Sequence, residues 1–383
     1  MPSLPCLRVP LIPRAGKIHA TDRAVVAPFA AGTGYRRGMP AVSRRNGARA
    51  RALLAIMCVG LAATACGSSA ASSAVARNEP PGTASAVYPA SLAYLNDKVV
   101  APAFEKSTGQ KYSGRVGAAG RLKVGRRTAG SGPGGSTPNI FQAVGDDTIT
   151  PLLPDFAKWY IQYAQTSIVV AYNPKGRYAS QFEAIATGRQ PVQDLFSLMA
   201  QPGFRLGRPN PNTDPQGRAF IYMLELAQAK YQFPTDRLTK ILGRGPLASA
   251  DSPQIFDETS IDTRLAAGQL DAASAYQAQA IQLHLRYITL PAEINLGVAS
   301  LAHRYHRASI TIAGNVTMHG SPLVIDITIV GKTDQAAADS FVAFVLSPGG
   351  LLLAKQAGYT LVTPTAFGDT RAIPRSIRTE LNT

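Results

Sequence analysis

Two runs of apolar, largely β-branched residues constrain the fold most: TSIVVAYNP (166–174), stopped by Asn-Pro, and PLVIDITIVG (322–331). Both read as strands, and the second reads as a strand buried within its sheet, which needs packing partners on its faces. The rest of the chain supplies them. TASAVYP (83–89) and NIFQAV (139–144) are further strand candidates, and LRYITLP (285–291) is another. SLAYLNDKVVAPAFEKSTG (91–109) places Leu92, Leu95, Val99 and Phe104 at roughly helical spacing and stops at Gly109. PQGRAFIYMLELAQAKY (215–231) reads as a helix, TRLAAGQLDAASAYQAQAIQLHL (263–285) as one or two more, and DQAAADSFVAFVLSPGGLLLAKQAG (334–358) as two helices broken at Pro-Gly-Gly. GSGPGGSTPN (130–139) is a loop. Alternation of this kind, without an internal repeat, predicts an α/β architecture with helices on both sheet faces. A chain of 383 residues, 45% hydrophobic, has the material for a large core divided between two domains or lobes.

The formal charge of +16 suggests a nucleic-acid partner until it is located. Ten of the 39 Lys and Arg and one of the 23 Asp and Glu precede residue 67, leaving 29 basic and 22 acidic residues, or +7, for the body. The one dense basic run left, GRLKVGRR (120–127), reads as a solvated loop, so no nucleic-acid partner is expected. The N-terminal charge belongs instead to an address. RRNGARAR (44–51) precedes the apolar ALLAIMCVGLAATA (52–65), then Cys66, Gly67 and a Ser/Ala-rich stretch. A basic region, a short apolar stretch and small residues form a secretory signal over 39–66, and the apolar part is short for a bilayer span. AATAC resembles a bacterial lipobox in which Cys66 takes the lipid, although Ala63 stands where Leu is usual; simple cleavage and a retained anchor are the other outcomes. Met39 is a normal start for such a signal, so 1–38 reads as a non-native or disordered extension and 67–84 as a tether. The expected location is outside the cytoplasm, on the outer face of the cell membrane as a lipoprotein or in the periplasm. Cys6, Cys58 and Cys66 all fall in the processed region, which leaves the body no thiol for a disulfide, a metal or a nucleophile.

Chemistry-bearing motifs are sparse. No G-x-S-x-G elbow, P-loop, H-E-x-x-H or dinucleotide fingerprint occurs, so no enzyme activity and no cofactor are expected. His303 and His306 of HRYH, with His319 downstream, read as an exposed basic end rather than a metal site, because no Cys or carboxylate pair completes a shell. Asp146-Asp147 and Asp257-Glu258 are sequence neighbours expected to point different ways. What stands out is GRPNPNTDPQGRAFIYMLELA (207–227), a polar, proline-broken run at the mouth of a helix. A helix N-terminus exposes unpaired N–H groups and partial positive charge, so Asp214 either caps it or makes room for an anion.

Five stretches, VYPASLAYLNDKVVAPAFEKSTG, YAQTSIVVAYNP, GFRLGRPNPNTDPQGRAFIYMLELAQAKY, LAAGQLDAASAYQAQAIQLHLRYITLPAEINLG and ITIVGKTDQAAADSFVAFVLSPGGLLLAKQAGY, follow one another along the chain. Their order and spacing resemble the molybdate/tungstate-type solute-binding proteins of ABC importers. The resemblance covers about 85–370 and implies a two-lobe, periplasmic-binding-protein-like (type II) fold with two crossover strands as hinge. One lobe would hold 85–167 plus 322–383 and the other 168–321. It implies a monomer that takes an oxyanion, tungstate or molybdate, for delivery to an ABC permease. Binders of sulfate, phosphate or a small organic anion remain open, as does an extracytoplasmic sensor or enzyme on the same scaffold. Carried over residue by residue, the ligand-binding set is Ser91 of YPASL, Asp214 of NPNTDPQG, Glu258 of FDETSID, which would face the metal of the oxyanion, and Tyr276 of DAASAYQAQA. Asn210 and Asn212 are further donors. Where relatives carry Gly-Ser this chain has Gly120-Arg121 beside the inserted TAGSGPGGSTP, so Arg121, Ser131 or Ser136 would substitute. Where relatives carry Gly-Tyr-Arg, it has Gly217-Arg218-Ala219.

Overall fold

The structure, a computed structural model, describes residues 82–117, 138–247, 252–331 and 334–381. Strand β1 (Thr83–Tyr88) leads into a helical stretch over 90–108 that ends as α1 (Ala101–Thr108), stopped at Gly109 as the sequence predicts. β2 (Lys111–Val116) and β3 (Ile140–Val144) pair parallel on either side of β1. Parallel neighbours need long crossovers, and the first helical stretch supplies one. After the short α2 (Asp146–Ile149), β4 (Trp159–Gln165) completes the first passage through this sheet.

The chain then leaves for a second sheet through Thr166 and Ser167. β5 (Ile168–Tyr172) is followed by α3 (Ala179–Ala186), α4 (Gln193–Met199), β6 (Leu206–Gly207), the long α5 (Pro215–Tyr231), α6 (Arg237–Leu242) and α7 (Glu258–Ala266). β7 (Ala272–Tyr276), α8 (Gln277–Gln282), β8 (Arg286–Ile288), α9 (Ala302–Tyr305) and a hairpin of β9 (Ser309–Ile312) and β10 (Val316–His319) complete this half. β11 (Val324–Ile329) returns to the first sheet, where α10 (Gln335–Leu346), α11 (Pro348–Gln356), β12 (Thr360–Gly368) and α12 (Arg375–Glu380) follow.

The sheet orders explain the two apolar runs. The first sheet runs β12-β4-β11-β3-β1-β2 and the second β6-β7-β5-β8. Each returning or departing strand, β11 and β5, is inserted between antiparallel neighbours, and almost all their residues are buried. This is the two-lobe, two-crossing α/β fold that the resemblance implies. The two crossings touch: the Thr166 N–H donates to the Leu323 carbonyl at 2.9 Å. A continuous apolar core fills both halves. In the first, Phe104 meets the edges of Phe341 and Phe344 at 5.1 and 5.7 Å.

One stretch differs from its sequence reading. DAASAY, expected within a helix, is strand β7, paired with β5 across 168–172. Alanine favours a helix locally, but a central strand packed beneath helices has room for small side chains only, and pairing on both edges overrides propensity. The two C-terminal helices do break at Pro-Gly-Gly: Pro348 is the first residue of α11, and Ser347 caps it by accepting from the Gly350 N–H at 3.2 Å. Arg121, Ser131, Ser136 and Cys66 lie outside the described residues, as does everything before 82.

Candidate functional site

The mouth of α5 organises the seam between the halves. Asp214 is its cap: Oδ1 accepts from the N–H groups of Gln216 at 2.8 Å and Gly217 at 3.3 Å, with Pro215 at the first helical position. Gly217 is required by close approach, since a β-carbon there would lie 2.6 Å from the Pro209 carbonyl oxygen. The loop before it is pinned by Arg208. That side chain is fully buried and donates to the Pro246 and Gly245 carbonyls at 2.9 and 3.0 Å, and burial lowers its pKa to about 10, so it stays cationic at neutral pH.

The first turn of α5 then points two side chains in different directions. Gln216, buried, donates to Gln279 at 2.8 Å and to Glu258 Oε1 at 3.3 Å, and accepts from the Ser274 hydroxyl at 3.1 Å. Arg218 reaches the first half, with Nε 3.3 Å from Asp147 Oδ2. Glu258, the first residue of α7, is buried. Its helix packs on the 90–92 turn, which brings the Glu258 carboxyl beside the hydroxyl and N–H of Ser91. Burial pushes the Glu258 pKa well above the usual carboxylate range, and the nearby Asp214 and Asp262 push the same way. Asp214 is also raised, by burial first, and Asp262 is pushed up to about 6 by burial. Acids sharing a dry seam cannot all ionise cheaply, so the seam favours protonated carboxyls.

Tyr276 ends β7 and is 2% exposed. Burial, then the charges of Asp214 and Glu258, drive its ionisation well upward, which keeps the phenol neutral and its O–H intact. Its Oη is buried without a hydrogen-bond partner, and the buried Ser91 Oγ has the Glu258 carboxyl beside it. Orphaned buried hydroxyls are costly and uncommon. Here the orphan belongs to the second half, and Ser91 of the first half and Tyr276 both lie near Glu258. The Ser91 carbonyl, by contrast, accepts from the Tyr359 hydroxyl at 3.2 Å.

The four residues singled out by resemblance are thus neighbours. Of the further donors, Asn210 borders a cavity of about 360 Å³ on the second half, together with Thr213, Asp214, Glu258 and Arg264. Ser91 and Tyr276 do not line it, so this cavity is not the place where the four residues face one another. Asn212 commits its side-chain oxygen to the Ala313 N–H at 2.8 Å, on the turn between β9 and β10. Asp257 and Glu258 both border this cavity. His306 and His319 stack at 4.2 Å, and among the described residues no group of three or more His, Cys, Asp or Glu could hold a metal. Sequence reasoning missed Gln216, Ser274, Gln279 and Asp147. A signal existed for Gln216, because first-turn side chains beside a capped N-terminus face whatever the cap faces.

Two α/β halves, two crossing strands and a seam of hydroxyls and carboxyls define a clamshell binding protein. The chain belongs to the family of bacterial extracellular solute-binding proteins, which matches residues 85–360. It is a binding protein rather than an enzyme. Among its relatives, the molybdate/tungstate-binding protein of Pyrococcus abyssi is 28% identical over 72% of this chain and 81% of its own length. That of Thermococcus kodakarensis is 27% identical over 62% and 70%. An uncharacterized solute-binding protein of Petrotoga mobilis is 27% identical over 56% of this chain, which spans 64% of that relative's length.

Proposed function

We propose that this protein captures a tetrahedral oxyanion, tungstate or molybdate, between its halves and delivers it to an ABC permease. The observation that carries the reading is a pair of buried hydroxyls, Ser91 and Tyr276, one from each half and both near Glu258, with the Tyr276 hydroxyl lacking any hydrogen-bond partner. Buried neutral donors hold a dehydrated anion well, because low dielectric strengthens each hydrogen bond and no second buried charge has to be desolvated. The raised pKa values of Asp214 and Glu258 fit this role: a protonated carboxyl donates to an oxyanion, whereas an ionised one would repel it. The names of the Pyrococcus and Thermococcus relatives favour molybdate or tungstate over sulfate or phosphate. Arg121, Ser131, Ser136, Asn210 and Asn212 are assigned as further donors, and the halves as 85–167 plus 322–383 and 168–321. The N-terminus is assigned to export, with 39–66 as signal, Cys66 as lipid attachment and 67–84 as tether, on a monomer that needs no cofactor.

The test is a melting series of the full chain with sodium tungstate, molybdate, sulfate and phosphate. Tungstate or molybdate should raise Tm increasingly with concentration, by the equivalent of about 2.7 kcal/mol at a hundred times Kd. Glu258→Gln should shift that response to higher concentration while leaving the ligand-free Tm within a few degrees. Absence of a response to all four anions ends the reading; a response to sulfate alone moves it to another ligand.

A further inference from the structure

We propose that Arg218 and Asp147 form a latch across the seam that sets how readily the halves close, and through closure the affinity for any anion, without touching the anion. Among ion pairs between described residues, this one alone joins the two halves. Arg177 and Arg205 pair with Asp271, and Lys230 with Glu293, inside the second half; Arg371 pairs with Asp369 inside the first. Arg218 stands in the first turn of α5, one residue past Gly217, and Asp147 in α2, directly after β3. Their side chains are only 8% and 18% exposed, so salt screens the pair little.

The pair is built on both sides. Arg218 Nη2 lies 3.4 Å from the Thr148 hydroxyl in the first half, and Nη1 donates at 3.4 Å to the Pro211 carbonyl in its own half. The Thr148 hydroxyl in turn donates to Asp147 Oδ1 at 3.1 Å. Burial raises the Asp147 pKa and Arg218 acts against that rise, while Asp146 adds to it. Asp326, on the returning strand, also lies close enough to feel the Asp147 charge. One turn along α5, Tyr222 turns its orphaned hydroxyl toward the same group of charges. Arg218 is therefore a cation at a seam crowded with acids, and it is held by groups of both halves.

A pair placed this way acts on the open–closed balance. When the halves part, water solvates each charge separately, and an exposed pair contributes little. With the halves together, removing either partner leaves the other buried and uncompensated, which penalises closure specifically. Apparent affinity scales with the closed fraction, so either single change weakens every ligand by one common factor. A direct contact of Arg218 with the anion would behave differently: losing Arg218 would weaken binding, but losing Asp147 would free the guanidinium and strengthen it.

The latch rests on the binding reading only for its affinity arm. Spin labels at Lys106→Cys in the first half and Lys175→Cys in the second, in a full chain with its three native cysteines changed to serine, report the separation of the halves. With no anion added, Arg218→Gln and Asp147→Asn should each shift the distance distribution toward the longer, open population, and the double variant should go no further than either single one. Arg218→Lys, which keeps the charge, should stay closer to the parent and serves if Arg218→Gln does not fold. Titration with sodium tungstate and sodium sulfate should then show a common weakening of about 5- to 20-fold in both single variants. Unchanged distances in both single variants overturn the latch even where anions bind normally. Tighter binding by Asp147→Asn beside weaker binding by Arg218→Gln also overturns it and makes Arg218 a ligand contact.

Discussion

Asp326 is an acid set inside a largely apolar buried strand. It interrupts the apolar run PLVIDITIVG, and in β11 it is fully buried, with Gln162 of β4 beside its carboxyl. Burial pushes its pKa well above the usual carboxylate range, and the charges of Asp146 and Asp147 add to the shift, while Gln162 acts against it. The folded chain thus holds a proton that the unfolded chain releases near pH 4. Protonation favours the fold fully below that pH, and the advantage is lost as pH rises toward the folded value. Asp326→Asn keeps the shape without the titration. Its Tm should match the parent near pH 4 and exceed it increasingly from pH 5 to pH 8, because the parent alone pays to keep or bury the charge. Parallel Tm curves for parent and variant across that range would mean that Asp326 titrates alike folded and unfolded. Among the seam residues, Ser91, Asp214, Glu258 and Tyr276 were legible by resemblance, whereas Asp147 was not. Its partner lies 71 positions away, and sequence spacing carries no trace of a pair made by closing two halves.

At the scale of elements, legibility followed locality. Helix α5 spans the residues its pattern predicted, Pro215 to Tyr231, because an Asp cap, a proline at the first position and a periodic apolar face are all local signals. Strand β7 was missed because alanines acquire strand character only from β5 and β6 beside them. The cap itself can be measured. Asp214→Ala removes the acceptor for the Gln216 and Gly217 N–H groups and should cost about 1 kcal/mol of stability, within the usual range of about 0.5–2 for such caps. Asp214→Asn keeps an oxygen in the same place and should recover most of that loss, which urea midpoints at pH 7 would show. An Asn variant as unstable as the Ala one would assign the loss to the missing charge rather than to the cap. That outcome would fit poorly with an acid whose burial already disfavours ionisation.

At the scale of the whole molecule, the two crossings between the halves are tied to each other and to one segment of the second half. Thr166 and Leu323 share a hydrogen bond, Ile168 bonds Asn295 at 2.9 Å, and Leu323 bonds Leu296 at 2.8 Å, so the segment 295–297 braces both crossings from the second half. Gly297 sits where this brace touches the first crossing. A β-carbon there would lie 2.6 Å from the Ser167 β-carbon and 3.2 Å from the Thr166 carbonyl, and the Ser167 hydroxyl is already committed to Gln277 at 2.8 Å. Gly297→Ala must therefore displace the crossing backbone itself, which should cost about 1–3 kcal/mol, as overpacking of a tight site does. A displaced crossing alters the angle at which the halves meet, and with it the spacing of Ser91 from Tyr276 and of Asp147 from Arg218. Because that change precedes any recognition of a particular ion, the variant should melt earlier and bind tungstate, molybdate and sulfate less tightly by similar factors, measured by calorimetric titration. Loss of one anion with retention of the others would put the effect in the seam chemistry and remove the crossings from the account.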